Sequence, residues 1–157
     1  MKILVTGKNG QLGKSIHKIV TNNEQKSEFF FVGRETLDLG SQDSIINYFN
    51  NNSFDIIINC AAYTAVDKAE KEVELADDIN HLAISKIAEI SNKHKVKLIH
   101  ISTDFIFDGV GEKAYLESDN PNPLNIYGKS KLAGEVAVCE AMKKNAIIIR
   151  TSWLYSE

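Results

Sequence analysis

The sequence is poor in cysteine and proline, with two of each among 157 residues. Cys60 and Cys139 belong to no C-x-x-C pair and to no Cys/His cluster at ligand spacing. A disulfide framework and a zinc site are therefore excluded as organising principles, and two reduced structural thiols are expected. No apolar run approaches the roughly 20 residues needed to span a bilayer. The opening stretch from Met1 to Thr6 is cut off by Gly7 and is too short for a secretory leader, so a cytoplasmic location is expected. A basic cluster is also missing. Lys and Arg are spread along the chain, the net charge is −3, and nucleic acid is not an expected partner. What the chain does have is 43% hydrophobic residues, enough for one compact domain with a buried core.

Short apolar runs alternate with helical patterns. Lys2 to Thr6, Phe29 to Val32, Asp55 to Cys60, Lys97 to Ser102 and Ala146 to Arg150 read as five buried strands. Between them, Gln11 to Val20, Ser41 to Phe49, Ala65 to His94 and Ile126 to Lys144 carry helical spacing, with Ser41 placed to cap the second helix. The fourth helix takes Leu132, Val136 and Met142 as its apolar positions. Asp108 to Asn125 is polar, holds both prolines and reads as a loop. This alternation implies the doubly wound, Rossmann-like α/β class, a parallel sheet covered on both sides. Right-handed crossovers suggest strand order 3-2-1-4-5, with the ligand at the switch between strands one and four.

The first strand runs into Gly7-Lys8-Asn9-Gly10-Gln11-Leu12-Gly13 and then a helix. Gly7 can make the tight turn, Gly10 lets backbone approach a pyrophosphate, and Gly13 lets the helix pack closely on the sheet. The helix N-terminus offers free N–H groups to phosphate. A glycine triplet alone is common turn punctuation; in a strand–loop–helix context it points to a dinucleotide. The second strand ends Val32-Gly33-Arg34, with no carboxylate at its tip. Arg34, helped by Lys8, favours the 2′-phosphate of NADPH, while the same spacing also tolerates NADH.

The fourth strand ends Ser102-Thr103-Asp104, at the edge where the ligand should lie. The helix that follows begins Tyr127-Gly128-Lys129-Ser130-Lys131, which puts Tyr127 and Lys131 on one face. That set suits carbonyl reduction. The Thr103 hydroxyl can orient the substrate oxygen. A phenol is a weak acid at neutral pH, and a neighbouring ammonium is expected to bring it toward the working range.

These blocks resemble an extended short-chain dehydrogenase/reductase, and more closely the dTDP-4-dehydrorhamnose reductase family. The resemblance is carried by T-G-K-N-G-Q-L-G from Thr6, N-C-A-A-Y-T-A-V-D-K-A-E from Asn59, S-T-D-F-I-F-D-G from Ser102, Y-G-K-S-K-L-A-G-E from Tyr127 and R-T-S-W-L-Y from Arg150. It implies NADPH-dependent reduction of the 4-keto group of dTDP-4-dehydro-L-rhamnose, a step of nucleotide-sugar and polysaccharide synthesis. By that resemblance Thr103, Tyr127 and Lys131 form the catalytic set. Gly10, Gln11 and Leu12 lie at the pyrophosphate, Asp38 and Leu39 at the adenine, and Ala61, Ala62 and Tyr63 beside the cofactor. Asp104 and Trp153 face the nucleotide sugar. Some members hold magnesium through a carboxylate early in the first helix, at a dimer interface; Gly13-Lys14-Ser15-Ile16 has none, so no metal is expected and a homodimer is left open. The family continues past Trp153 into a smaller substrate-binding part. Residues 1–157 are therefore expected to be the NAD(P)-binding domain without that part.

Two alternatives remain: an epimerase using the same Thr/Tyr/Lys set, and a non-catalytic subunit similar to the β-subunit of methionine adenosyltransferase. A dehydratase would need a carboxylic acid where Phe105 stands. His17, His81, His94 and His100 form no metal-spaced pair, and His100 reads as a packed core residue. Asp67 and Glu70 read equally as a solvated helix start or as the mouth of the site.

Overall fold

The computed structural model describes residues 1–110 and 114–155. Positions 111–113 of the expected loop, and the last two positions of the expected domain, lie outside the described residues. Five parallel strands form one sheet: β1 (Lys2–Thr6), β2 (Glu28–Val32), β3 (Ile56–Asn59), β4 (Lys97–Thr103) and β5 (Ala146–Thr151). Their order is β2-β1-β3-β4-β5, not the expected 3-2-1-4-5. The chain steps once outward from β1 to β2 and then reverses, so β3 lies on the far side of β1. The two orders share right-handed crossovers and buried strands, and differ only in how many steps precede the reversal. The switch point, and with it the ligand crevice, therefore falls between β1 and β3.

The register sorts the side chains into rows. Phe30, Leu4, Ile57, Leu98 and Ala146 are successive partners across the sheet. This row faces α2 (Gln42–Asn51), α5 (Ala83–His94) and α6 (Ile126–Met142), where Ile45, Ile84, Ile87, Val138 and Met142 complete the main core. The next row faces the other way: Phe31, Val5, Ile58, Ile99 and Ile147. Helix α1 (Gln11–Asn22) covers only the β2 side of that face, with the His17 ring edge-on to Phe31 at 4.7 Å. Ile147 and Ile149 on β5 stay 59% and 45% exposed. The expectation of a sheet covered on both sides thus holds fully for one face only. Apolar side chains on both sides of a strand say that both faces can be buried, not that one short stretch of chain buries them.

The helix expected over Ala65–His94 is broken. It becomes α3 (Val66–Ala69), a turn, α4 (Val73–Asp77), a π-helical turn over Asp78–Leu82, and then α5. The break lets the Glu70 carboxylate accept from the Ile126 backbone N–H at 2.8 Å. The wide turn sets Asn80, 1% exposed, inside the fold. Ser41 does cap α2, its hydroxyl accepting from Ser44 N–H at 3.2 Å. In α6 the expected apolar positions hold in part. Met142 is buried, but Val136 is exposed, and the buried side is built from Tyr127, Gly128, Ser130, Lys131, Gly134, Glu135, Val138 and Met142.

Candidate active site at the strand ends

Backbone geometry makes the cradle. Gly7 has φ +72°, and a Cβ there would come within 2.8 Å of the Ala61 backbone nitrogen. A Cβ on Gly13 would overlap the Gly7 carbonyl, so the α1 start can lie against the loop only as glycine. Gly10 N–H closes the turn onto Gly7 C=O at 2.9 Å. No side chain caps α1, which leaves the N–H groups of its first turn available to an anion. These are the features expected of a pyrophosphate cradle, and they fit a dinucleotide.

The cradle opens into a cleft of about 900 Å³ along the carboxyl ends of the strands. Gly7, Gly10, Gln11 and Leu12 line one end, with Arg34, Asp38 and Leu39 beyond the tip of β2. Ala61, Ala62 and Tyr63 line the middle; Thr103, Asp104, Tyr127, Lys131 and Trp153 line the other end. Gly13 sits beneath the cleft, buried in α1, and Lys8 is outside its lining. Asn9, Leu37 and Leu154 join the wall without having been foreseen.

At the β2 tip the cations are already partnered. Arg34, its side chain 75% exposed, pairs with Asp38 at 3.3 Å, and Lys8 pairs with Glu35, whose carboxyl is held below its ordinary value by that lysine. A 2′-phosphate here would have to compete with these carboxylates for the cations.

At the far end, α6 is aimed by its cap. The Asn125 side-chain oxygen accepts from Gly128 N–H at 2.7 Å, and the next residues carry Tyr127 and Lys131. The Thr103 hydroxyl donates to Asp104 Oδ1 at 3.1 Å and accepts from Phe105 N–H at 3.2 Å. The Tyr127 phenol stays above its ordinary pKa: burial raises it, a hydrogen bond with Thr103 opposes this, and the Asp104 charge adds to the rise. The expected lowering by Lys131 is not found. Lys131, 2% exposed, turns to β4 instead, donating to Ile101 C=O at 2.7 Å with its Nζ 3.4 Å from His100 Nε2. Burial holds the lysine down at about 8, against the pull of Glu135.

Other polar groups hold this end in place. Asn80 accepts from Tyr63 N–H at 2.9 Å and donates to Tyr63 C=O and the Ser130 hydroxyl, both at 3.0 Å. The Tyr63 hydroxyl donates to Glu72 at 2.6 Å and is pushed up to about 12. Gln11 donates to Leu154 C=O at 2.8 Å, joining the cradle to the stretch after β5. Trp153, at φ +37°, is 83% exposed. Asp67 does not line the cleft, and Glu70 serves α6. Both cysteines are free thiols, and burial pushes Cys60 up to about 11. Among the described residues no group of His, Cys, Asp or Glu is placed to hold a metal ion. Nor is any helix among them long and apolar enough to cross a membrane.

The parallel sheet, its switch-point cleft and the glycine cradle define a Rossmann-like α/β domain. More particularly, the chain belongs to the RmlD substrate-binding-domain family, whose pattern matches residues 1–157. The dTDP-4-dehydrorhamnose reductase of Aggregatibacter actinomycetemcomitans is 38% identical over 99% of the chain and 52% of its own length. The crystal structure of a dTDP-4-dehydrorhamnose reductase from Clostridium acetobutylicum superposes with a TM-score of 0.93 at 38% identity, covering 100% of this chain and 55% of that one. The Bacillus anthracis reductase, solved in complex with NADP, gives 0.90 at 40% identity, covering 98% of this chain and 54% of that one. The chain spans about half the length of the curated relatives it matches.

Proposed function

We propose that this chain is the dinucleotide-binding half of an NADPH-dependent reductase that converts dTDP-4-dehydro-L-rhamnose to dTDP-L-rhamnose, with NADH as a weaker substitute. The observation that carries the reading is the meeting, in one cleft, of an uncapped glycine cradle with Thr103, Tyr127 and Lys131. When bound, NADPH supplies the hydride. Gly10, Gln11 and Leu12 hold the pyrophosphate by backbone N–H groups, and Asp38 and Leu39 flank the adenine. Arg34 meets the 2′-phosphate. Ala61, Ala62 and Tyr63, pinned by Asn80, shape the floor. Thr103 orients the sugar's 4-keto oxygen, Tyr127 gives it a proton, and Lys131 supports Tyr127 and reaches the ribose. Asp104 and Trp153 contact the sugar nucleotide. Most of the groups that grip the sugar nucleotide lie outside residues 1–157, in the other half that the relatives possess. The reaction is placed in the cytoplasm, no metal ligands are assigned to this chain, and a homodimer is compatible with it.

Calorimetric titration of the chain with NADPH and with NADH tests the reading. Saturation with NADPH is expected. Failure to saturate with either cofactor would sink the cradle assignment and the reductase reading with it.

A further inference from the structure

One polar row crosses the sheet inside the fold. Thr6 of β1, Asn59 of β3 and His100 of β4 are successive register partners, on the face covered by α5 and α6. They are 2%, 1% and 0% exposed. The Thr6 hydroxyl accepts from Ala61 N–H at 3.3 Å and donates to Asn59 Oδ1 at 2.6 Å. Asn59 Nδ2 donates to Ala61 C=O at 3.2 Å and lies 3.1 Å from His100 Nδ1. His100 Nε2 then lies 3.4 Å from Lys131 Nζ. A chain of contacts thus runs from the residue before Gly7 to the lysine of the site. Thr6, Asn59 and His100 are absent from the functions assigned above.

The protons along this chain are determined. Ala61 C=O can only accept, so the Asn59 amide must present its NH₂ there; the flipped amide would set two oxygens against each other. Asn59 Nδ2 is therefore also the atom beside His100, and His100 Nδ1 must accept. A neutral imidazole that accepts at Nδ1 carries its proton on Nε2. Burial and the neighbouring lysine both keep His100 uncharged. Its Nε2–H consequently points at the lysine nitrogen. An ammonium has no lone pair to receive it, whereas a neutral amine does.

We propose that His100 is a positioning residue for Lys131: with its tautomer set by Thr6 and Asn59, it presents a donor to the lysine nitrogen and favours the uncharged amine. Lys131 then gives up its proton more readily than an exposed lysine. Other ionisable groups face it from the surrounding elements. Tyr127 lies one turn earlier on α6, and Asp104 follows β4. Glu135 lies one turn later on α6, its charge met by Arg150 of β5 at 2.7 Å. Glu135, its charge shared with Arg150, and the Ile101 C=O favour the ammonium; burial opposes it, and the His100 Nε2–H adds to that opposition. The row also couples the lysine to the Ala61 stretch of the cleft floor, so a ligand that shifts Ala61 shifts the proton on Lys131.

The role of Lys131 in reduction rests on the reductase reading, but the test of His100 does not. NMR of isotopically labelled histidine and lysine side chains reads both groups in the ligand-free chain. His100 is expected to hold its proton on Nε2, with Nδ1 bare, and to stay uncharged through the pH range in which an exposed imidazole titrates. Asn59→Asp should reverse the tautomer, because a carboxylate accepts from Nδ1–H and leaves Nε2 free to accept from the ammonium. The Lys131 midpoint should then rise by about one pH unit or more. Asn59→Leu, which removes the donor without adding charge, should move it the same way by less. A proton found on Nδ1 of the unaltered chain would overturn the proposal without any variant. So would a Lys131 midpoint unchanged in folded Asn59 variants. Failure of the chain to saturate with either NADPH or NADH, with these signatures intact, would overturn the reductase reading alone.

Discussion

At the scale of single residues, the site works by denying side chains their usual surroundings. Tyr127 is buried beside Thr103, with the Phe105 ring edge-on at 5.6 Å. Burial raises its pKa, so the phenol stays protonated and ready to give its proton to an alkoxide that forms beside it. Tyr127→Phe should keep the fold and the dinucleotide affinity. In the full-length enzyme it should lower kcat by about a hundredfold to ten-thousandfold, the usual range for one general acid. Near-normal turnover in a stopped assay of dTDP-4-dehydrorhamnose reduction would show that another group supplies the proton. Cofactor preference belongs to this scale as well. Arg34 is exposed and shared with Asp38. Its contribution to a 2′-phosphate should therefore be modest, near the lower end of the ~1.5–3 kcal/mol found for charged hydrogen bonds. Arg34→Ala should weaken NADPH about tenfold and leave NADH nearly unchanged; equal weakening of both in parallel titrations would exclude a phosphate contact.

At the scale of elements, α6 decides whether the groups converge. Its N-terminus is fixed twice, by Asn125 onto Gly128 N–H and by Glu70 onto Ile126 N–H. Asn125→Ala should lower stability by about 1 kcal/mol, the usual loss for a helix cap. Because Tyr127 lies in the first turn, it should also lower kcat more than it weakens the cofactor. Urea unfolding, cofactor titration and turnover in the full-length enzyme check both, and a stability change with kcat unaltered would mean that the cap does not aim the tyrosine. The same helix shows what could be read in the sequence and what could not. Tyr127 and Lys131 were legible from their four-residue spacing next to a strand ending in Ser-Thr. The buried face was not, because periodicity follows Leu132 and Val136, whereas the fold buries Ser130, Lys131 and Glu135 for their partners. Strand positions were legible within a residue or two because apolar runs mark them. Their lateral order was not, since a crossover of either length leaves the same pattern along the chain. Asn59, Asn80 and His100 were missed because their meaning lies in partners 17 to 50 residues away. The one available signal was a polar residue ending the apolar run at Asn59.

At the scale of the whole molecule, the residues proposed to hold the cofactor all lie within residues 1–157, about half the length of the relatives. The chain alone should therefore bind NADPH yet reduce dTDP-4-dehydrorhamnose far more slowly than full-length relatives, because an unheld ketone loses the advantage of proximity. Equal kcat/KM at matched cofactor saturation would place the sugar site within residues 1–157.

Whole-molecule stability carries a second mark of function, in Lys131. A lysine that is 2% exposed and drops from 10.5 to about 8 on folding is an energetic burden on the folded state. At one pKa unit per 1.36 kcal/mol, the ammonium is disfavoured by about 3 kcal/mol wherever both folded and unfolded chains carry it. The sign follows from proton counting. Between pH 8 and 10.5 the unfolded chain holds more protons than the folded one, so stability rises with pH across that window. Below it the full penalty applies. Lys131→Met has a similar length and no charge, so it should stabilise the chain at neutral pH. The gain should fall short of the full penalty, because Ile101 C=O loses its donor and Glu135 loses a favourable neighbour. About 1–2 kcal/mol is expected after a loss of roughly 1 kcal/mol for the hydrogen bond. The advantage should shrink as the pH passes through the window, while reduction is lost at every pH. Urea unfolding of both proteins at about pH 7 and about pH 10 reads this directly, since only the wild-type chain titrates there. A Met variant less stable at neutral pH, with a difference that ignores pH, would mean that Lys131 holds the fold together. The expected result means instead that the fold tolerates a buried amine because the chemistry at Tyr127 requires one.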